Sequence, residues 1–175
     1  MILKIAIAVG GLIAAILIFA ATKPHTFYIQ RSATIKAPRE KIFALIDDFH
    51  NWSKWAPQDR EDPTVKRTYC GPSSGQGAVS EWNGSGSAGR GRMVIAESLP
   101  LQRISIKVDF VKPFESHTVN EFTLEPAGSS TTIRWSMQCK NLYMMKIMSV
   151  FINMDRMMGK HFETGLRNLQ SVAEQ

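Results

Sequence analysis

Along RISIKVDF, residues 103–110, apolar and polar positions alternate without a break. Ile104, Ile106, Val108 and Phe110 share one side, and Arg103, Ser105, Lys107 and Asp109 the other. A period of two with one dry and one wet side predicts a strand of an antiparallel sheet covered on one face only. TTIRWSMQC repeats the pattern, with Ile133, Trp135, Met137 and Cys139 opposed to Arg134, Ser136 and Gln138. FYIQRSATI does so near the start, and shorter runs predict strands at Thr64–Cys70, Gly77–Trp82, Arg90–Ser98 and His117–Glu125. The breaks GPSSGQ, NGSGSAG, LP, KPF and PAGSS carry turn chemistry.

Elsewhere the period is helical. KAPREKIFALIDDF predicts a helix with Pro38 at its first position and Ile42, Phe43 and Ile46 as its apolar stripe. HNWSKWAP predicts a second, short helix that stops before Pro57. Met154, Met158, Phe162, Gly165, Leu166, Leu169 and Val172 recur at three and four, with Lys160, Glu163, Arg167 and Gln170 between them. That is an amphipathic helix long enough to cover the sheet. The fold class is α+β: a seven-stranded antiparallel sheet wrapped on a long C-terminal helix.

The first residues follow neither period. After Lys4 the chain is apolar or glycine without interruption from Ile5 to Ala21. At ~1.5 Å per residue, residues 2–22 match a ~30 Å hydrocarbon core, so the run predicts an uncleaved transmembrane anchor. A cleaved signal peptide has a shorter apolar region and a better cleavage site than Ala20-Ala21-Thr22. The expected location is a membrane, the bacterial cytoplasmic membrane, held by one N-terminal span. Charge does not choose a side: Lys4 favours one orientation, and Lys23, Arg31, Lys36, Arg39 and Lys41 the other. Residues 23–26 form a linker, and 27–175 the single remaining domain.

Gly84, Gly86 and Gly89 in WNGSGSAGRGRMVI fit G-x-G-x-x-G, with Asp109 twenty positions on. A dinucleotide site needs those glycines between a strand and a helix, so that a helix N-terminus meets the pyrophosphate. Here strand residues follow Gly89, so the glycines are expected in a hairpin turn.

The net charge of +6 changes the picture little, because the basic residues are scattered. That disfavours a nucleic-acid partner and permits contact with anionic lipid. Cys70 and Cys139 are too few for a zinc or disulfide framework, and no cofactor or metal is expected.

The residues resemble a family. IKAPREKIFALIDDFHNWSKWAP, RTYCGPSSGQGAVSEWNG, GRGRMVIAESLP, DFVKPFESHTVNEFTLEP, TTIRWSMQCKN and MDRMMGKHFETGLRNLQ, in that order, are similar to the START-like (SRPBCC) superfamily. The likeness lies with its polyketide cyclase/dehydrase and lipid-transport-like members, over residues 27 to 173. The resemblance implies the helix-grip fold and a cavity between sheet and long helix that takes lipids, sterols or aromatic polyketides. A minority of relatives catalyse cyclisation or dehydration there. In the helix-grip order the final strand is separated from the second by the first, so the cysteines are expected unpaired.

Strand parity then gives the candidate pocket: Ile104, Ile106, Val108, Phe110, Phe122, Leu124, Trp135 and Met137, opposite Met158 and Phe162. Trp52 and Trp55 share a helix face and either close one end of the cavity or pin the short helices to the sheet. Met144, Met145, Met148, Met154, Met157 and Met158 would give the site adaptable walls. The small residues Gly165 and Cys139 are expected to border empty space. Glu81, Glu97, Asn120 and Tyr69 are candidate polar groups of the pocket, but their parity is ambiguous or points outward, so the surface is expected for each. None of His25, His50, His117 and His161 shows a carboxylate partner in sequence, so no catalytic residue is named. The expected function is a membrane-anchored binding domain for a small hydrophobic ligand. The alternatives are a cyclase/dehydrase-like enzyme using the same pocket and a protein-interaction domain with a filled core. The sequence does not indicate an oligomeric state.

Overall fold

The computed structural model describes residues 1–57, 65–84, 89–112, 115–141 and 143–175, except the side chains of Ile2, Leu3, Ala6 and Met144. Helix α1 (Ile2–Ala21) leads into strand β1 (Thr26–Ile35), helix α2 (Arg39–Asp47) and a 3₁₀ turn at Phe49–Lys54. Six strands follow: β2 (Lys66–Cys70), β3 (Val79–Asn83), β4 (Arg90–Leu99), β5 (Arg103–Lys112), β6 (Ser116–Ala127) and β7 (Ser130–Lys140). Helices α3 (Tyr143–Phe151) and α4 (Met154–Ala173) end the chain.

The seven strands make one sheet in the order β1-β7-β6-β5-β4-β3-β2, with every neighbouring pair antiparallel. The helix-grip arrangement expected from the sequence is present, with α4 across the concave face. One detail differs: β1 and β2 stand at opposite edges rather than side by side. Cys70 at the end of β2 and Cys139 on β7 are therefore far apart in the sheet order, and both are free thiols.

Gly84 and Gly89 lie where a hairpin requires them, and Gly86 lies outside the described residues. β3 and β4 pair antiparallel from Val79↔Val94 to Asn83↔Arg90, and the Gly84 amide donates to the Gly89 carbonyl at 2.8 Å. Gly89 has φ +60°, the left-handed region that favours glycine. Strand β4 follows Gly89 directly, so the Gly89 amide has no helix N-terminus to work with.

One boundary and one element differ from the sequence reading. Pro38 caps α2 instead of opening it: its carbonyl accepts from the Lys41 and Ile42 amides, at 3.2 and 3.4 Å. Helix α3 was not expected at all. Its run YMMKIMSVF does carry a helical period, with Lys146 and Ser149 on one side, but nine residues are too short a window for that period to stand out. Asn153 then ends the run and caps α4, its side-chain oxygen accepting from the Arg156 amide at 2.9 Å.

α4 is fastened at both ends. At its start the Arg31 guanidinium of β1 reaches Asp155 and Glu163, each at 3.0 Å. Gly159 lies directly beneath that guanidinium, where a side chain would collide with it. At its end the Glu174 carboxylate accepts from the Lys36 amide and from Gln170, each at 2.9 Å. Those bonds, led by the one from the Lys36 backbone, hold its pKa below the usual carboxylate range. The linker is tied too, with Asn141 bonded to the carbonyls of Pro24 and His25.

The expected span at 2–22 is not met by the described residues: among them, no helix is long and apolar enough to cross a membrane. α1 is a continuous helix from Ile2 to Ala21, yet only its second part, from Ile7 on, has every side chain described. That part is shorter than the ~20 residues a span needs.

Candidate ligand-binding cavity

The two ends of the fold differ in how they are filled. At one end, α2 and the 3₁₀ turn lie under the sheet, and the indoles of Trp52 and Trp55 donate to the carbonyls of Ile46 and Leu45, each at 2.9 Å. Those carbonyls belong to the last turn of α2 and lack helical partners of their own. Trp55 also meets Phe122 and Trp135 edge-on, with ring centroids 6.2 and 6.0 Å apart. This end is solid. It takes in Ile104, Ile106, Phe122, Leu124 and Trp55, which are buried in the core but do not line the cavity.

Towards the other end the sheet and α4 diverge around a cavity of about 480 Å³, a size typical of small-molecule sites. Val108, Phe110, Trp135, Met137, Met158 and Phe162, six of the residues named from strand and helix parity, line it, and so does Trp52. Trp52 thus does both things the sequence left open: it pins the 3₁₀ turn and closes the cavity. Trp135 stacks flat on Phe162 (centroids 4.1 Å, interplanar angle 10°) and forms the floor where the solid core begins.

The remaining wall came from signals that the sequence reading passed over. β6 presents Ser116, Thr118, Asn120, Phe122 and Leu124 to the inside, polar at the cavity end and apolar at the core end. Asn120 was expected at the surface because its strand parity was ambiguous. It faces inward, where its side-chain oxygen accepts from Trp135 Nε1 at 3.1 Å. A polar inward row next to an empty space is the very feature that parity of hydrophobic residues conceals. Arg67, its Nη1 donating to Ser80 Oγ at 3.0 Å, and His161 of α4 add two further polar side chains. Met145, Met154, Met157 and Met158 supply the flexible part of the wall. Of the other methionines named, Met148 is exposed and the Met144 side chain lies outside the described residues.

Gly165 does not border empty space. A Cβ there would stand 2.7 Å from Trp135 Cζ3 and 3.4 Å from Pro57 Cδ, so the glycine is what lets α4 settle onto the tryptophan. Cys139 does line the cavity, and burial raises its thiol pKa. Cys70 is exposed. Alkylation of the native protein should therefore modify one thiol quickly and the second only after denaturation, read by mass. Two fast modifications would place Cys139 in open solvent.

Glu81 and Glu97 lie outside the cavity, paired with Arg92 (3.4 Å) and Arg103 (2.8 Å), and Tyr69 packs against the His50 ring at 4.0 Å. Two histidines do have carboxylate partners: His50 Nδ1 is 2.7 Å from Asp48, and His117 Nδ1 is 2.6 Å from Asp109. The second pair joins facing residues of β5 and β6 and is invisible in linear sequence. Neither pair lines the cavity. The bond to Asp109 raises the His117 pKa above the ordinary histidine value. Its stabilising contribution is then complete below ~6.5 and is lost as pH rises through the raised folded-state value. A proton NMR titration should show His117 with a raised midpoint that falls in Asp109→Asn; an unmoved midpoint would refute the pairing. Among the described residues, no three His, Cys, Asp or Glu side chains are grouped to hold a metal ion.

The family described as "Polyketide cyclase / dehydrase and lipid transport" matches residues 26–174. The chain belongs to this family. Solved structures agree at the level of fold. A protein of Chromobacterium violaceum superposes with a TM-score of 0.61 at 15% identity, covering 87% of this chain and 99% of that one. The di-domain ARO/CYC BexL gives 0.64 at 15% identity, covering 90% of this chain and 53% of that one. A hypothetical protein of Helicobacter pylori gives 0.63 at 8% identity, covering 84% and 88%. No curated protein shows a significant match. Residue 26 is the first of β1, so the family match leaves α1 outside.

Proposed function

We propose that this polyketide cyclase/dehydrase and lipid-transport family member holds a small apolar ligand, lipid-like or aromatic, between sheet and α4, and that α1 fastens it to a membrane. The observation that carries the first part is the cavity, apolar over most of its wall, with Asn120, Thr118, Ser116, Arg67 and His161 as its polar points. Such a wall binds by burying apolar surface and orients by a few hydrogen bonds. The second part is supported by the apolar run of α1 and by Ile7, Leu12, Ile18 and Phe19, which stand exposed on it. Left in water they would be costly; in lipid they are at home.

Native mass spectrometry of the full chain, released from gentle detergent, tests the binding role. A bound mass in the range of a lipid or polycyclic molecule, extractable into organic solvent, is the expected result. A protein that is always empty, and that takes up no apolar fluorophore, overturns it.

A second reading is favoured by one observation, that His161 of α4 and Asn120 of β6 line the same cavity. An imidazole in such a cavity can move a proton on a bound carbonyl compound, which would make the protein an enzyme of cyclase or dehydrase type. Conversion of a trapped ligand by the wild type, lost in His161→Gln with binding retained, would select this reading.

A further inference from the structure

Exposed apolar side chains gather at one corner of the molecule. On α3 they are Tyr143, Met148 and Phe151, and Ile152 and Met157 carry the patch across the break into α4; Phe151 is 71% exposed. α3 packs on α1, and the Tyr143 hydroxyl donates to the Leu17 carbonyl at 3.0 Å. The patch is therefore continuous with the apolar side chains of α1. Contiguous apolar surface of this kind marks a place where something other than water belongs.

Charge indicates what that is. Where the apolar helices meet the polar domain, Lys23 lies with its ammonium 4.8 Å above the Phe19 ring. Lys146 of α3 is buried, only 4% exposed, with its Nζ 3.4 Å from His25 Nδ1, so it serves the linker rather than the surface. Lys23, at the boundary between an apolar helix and a polar body, matches the level at which anionic headgroups meet hydrocarbon. An apolar protein partner would offer its ammonium nothing. A groove at the same corner, lined by Lys23, Pro24, Ser149 and Phe151, shares Phe27, Met145 and Met154 with the cavity wall. Among the described residues, only those three side chains, two of them flexible methionines, belong to both spaces.

We infer that the α3 face, with Met148 and Phe151 at its centre, is seated in the interfacial layer of an anionic lipid bilayer beside α1. This rests on the reading of α1 as the membrane anchor. The seat turns the groove, and behind it the cavity, towards the lipid, so the bilayer is the ligand's source or destination.

The test uses the full chain with Cys70→Ser, carrying one bimane label in turn at Met148→Cys, Phe151→Cys, Leu12→Cys and Lys107→Cys. Each protein is reconstituted into phosphatidylcholine–phosphatidylglycerol vesicles, with or without nitroxide on the acyl chains. Labels at 148 and 151 should be quenched at least threefold more strongly than the label at 107 on the outer face of the sheet. If 148 and 151 behave like 107 while 12 is quenched, the seat is wrong and the anchor stands. If none of 12, 148 and 151 is quenched, seat and anchor fall together. Labels at 148 and 151 shielded from both lipid nitroxide and aqueous iodide would mean that a second copy of the chain covers the face, which also overturns the inference.

Discussion

Gly165→Leu should lower the melting temperature by about 6–12 °C. The helix α4 lies so close to Trp135 that even a methyl group at position 165 would stand 2.7 Å from the indole edge. Neither side can yield cheaply. Trp135 is stacked between Phe122 and Phe162, with centroids at 4.9 and 4.1 Å, and its indole nitrogen is bonded to Asn120. α4 is held by Arg31 at one end and Glu174 at the other. Overpacking in such a place costs up to ~3 kcal/mol, and each kcal/mol is worth ~2–4 °C in a chain of this size. Gly165→Ala should fall between the two proteins, because the clash is partly offset by a gain in helix propensity of ~1 kcal/mol. Thermal unfolding by circular dichroism measures both. A leucine variant that melts with the parent would mean that α4 does not rest on Trp135.

Cys139→Phe should do the opposite: leave the melting temperature within a few degrees and abolish binding of an apolar fluorophore. Cys139 stands on β7 opposite Phe27 and Thr118 and lines the cavity. A phenyl ring there enters unfilled space between sheet and helix and occupies the volume a ligand would take. Burying the ring without displacing packed atoms is roughly neutral or favourable, whereas the same enlargement in a solid core would cost ~1–3 kcal/mol. Probe titration and thermal unfolding on the same sample separate the cases. Strong destabilisation together with a parent that binds no probe would remove the cavity from the account.

The sheet was readable in the sequence because its strands obey a period of two, and α4 because its apolar stripe recurs every three to four residues. Both signals come from the partition between water and core. The cavity follows a different rule, since its wall is neither fully wet nor fully packed. Asn120 read as solvent-facing and is not, and Ser116 and Thr118 on the same side of β6 gave no pocket signal; Ile104 and Ile106 read as pocket and belong to solid core. What decides between them is where α2 and its 3₁₀ turn insert beneath the sheet, a tertiary fact with no local mark beyond two tryptophans. Helix α3 escaped for a different reason. Its nine residues do favour one face, but they are fewer than the ~11–18-residue window in which a helical period stands out. The Asp109–His117 pair needed the β5–β6 register, which only the folded chain supplies.

The pairing of β1 with β7 has a consequence for the order in which the molecule can be made. Thr26 pairs with Lys140 and Ile35 with Thr131, so the first strand to leave the ribosome has its partner roughly a hundred residues later, ~5–20 s at ordinary synthesis rates. Strands β2 to β6 can zip as successive hairpins while they emerge, since each neighbour in the sheet is a neighbour in sequence. β1 cannot. It must wait as a bare edge at the foot of α1, with Phe27 and Ile29 uncovered, until β7 is complete and α4 can be drawn down by Arg31. Closure of the sheet is thus coupled to the synthesis of β7, and a nascent chain stalled before residue 131 would hold an unpaired, aggregation-prone strand beside its apolar helix.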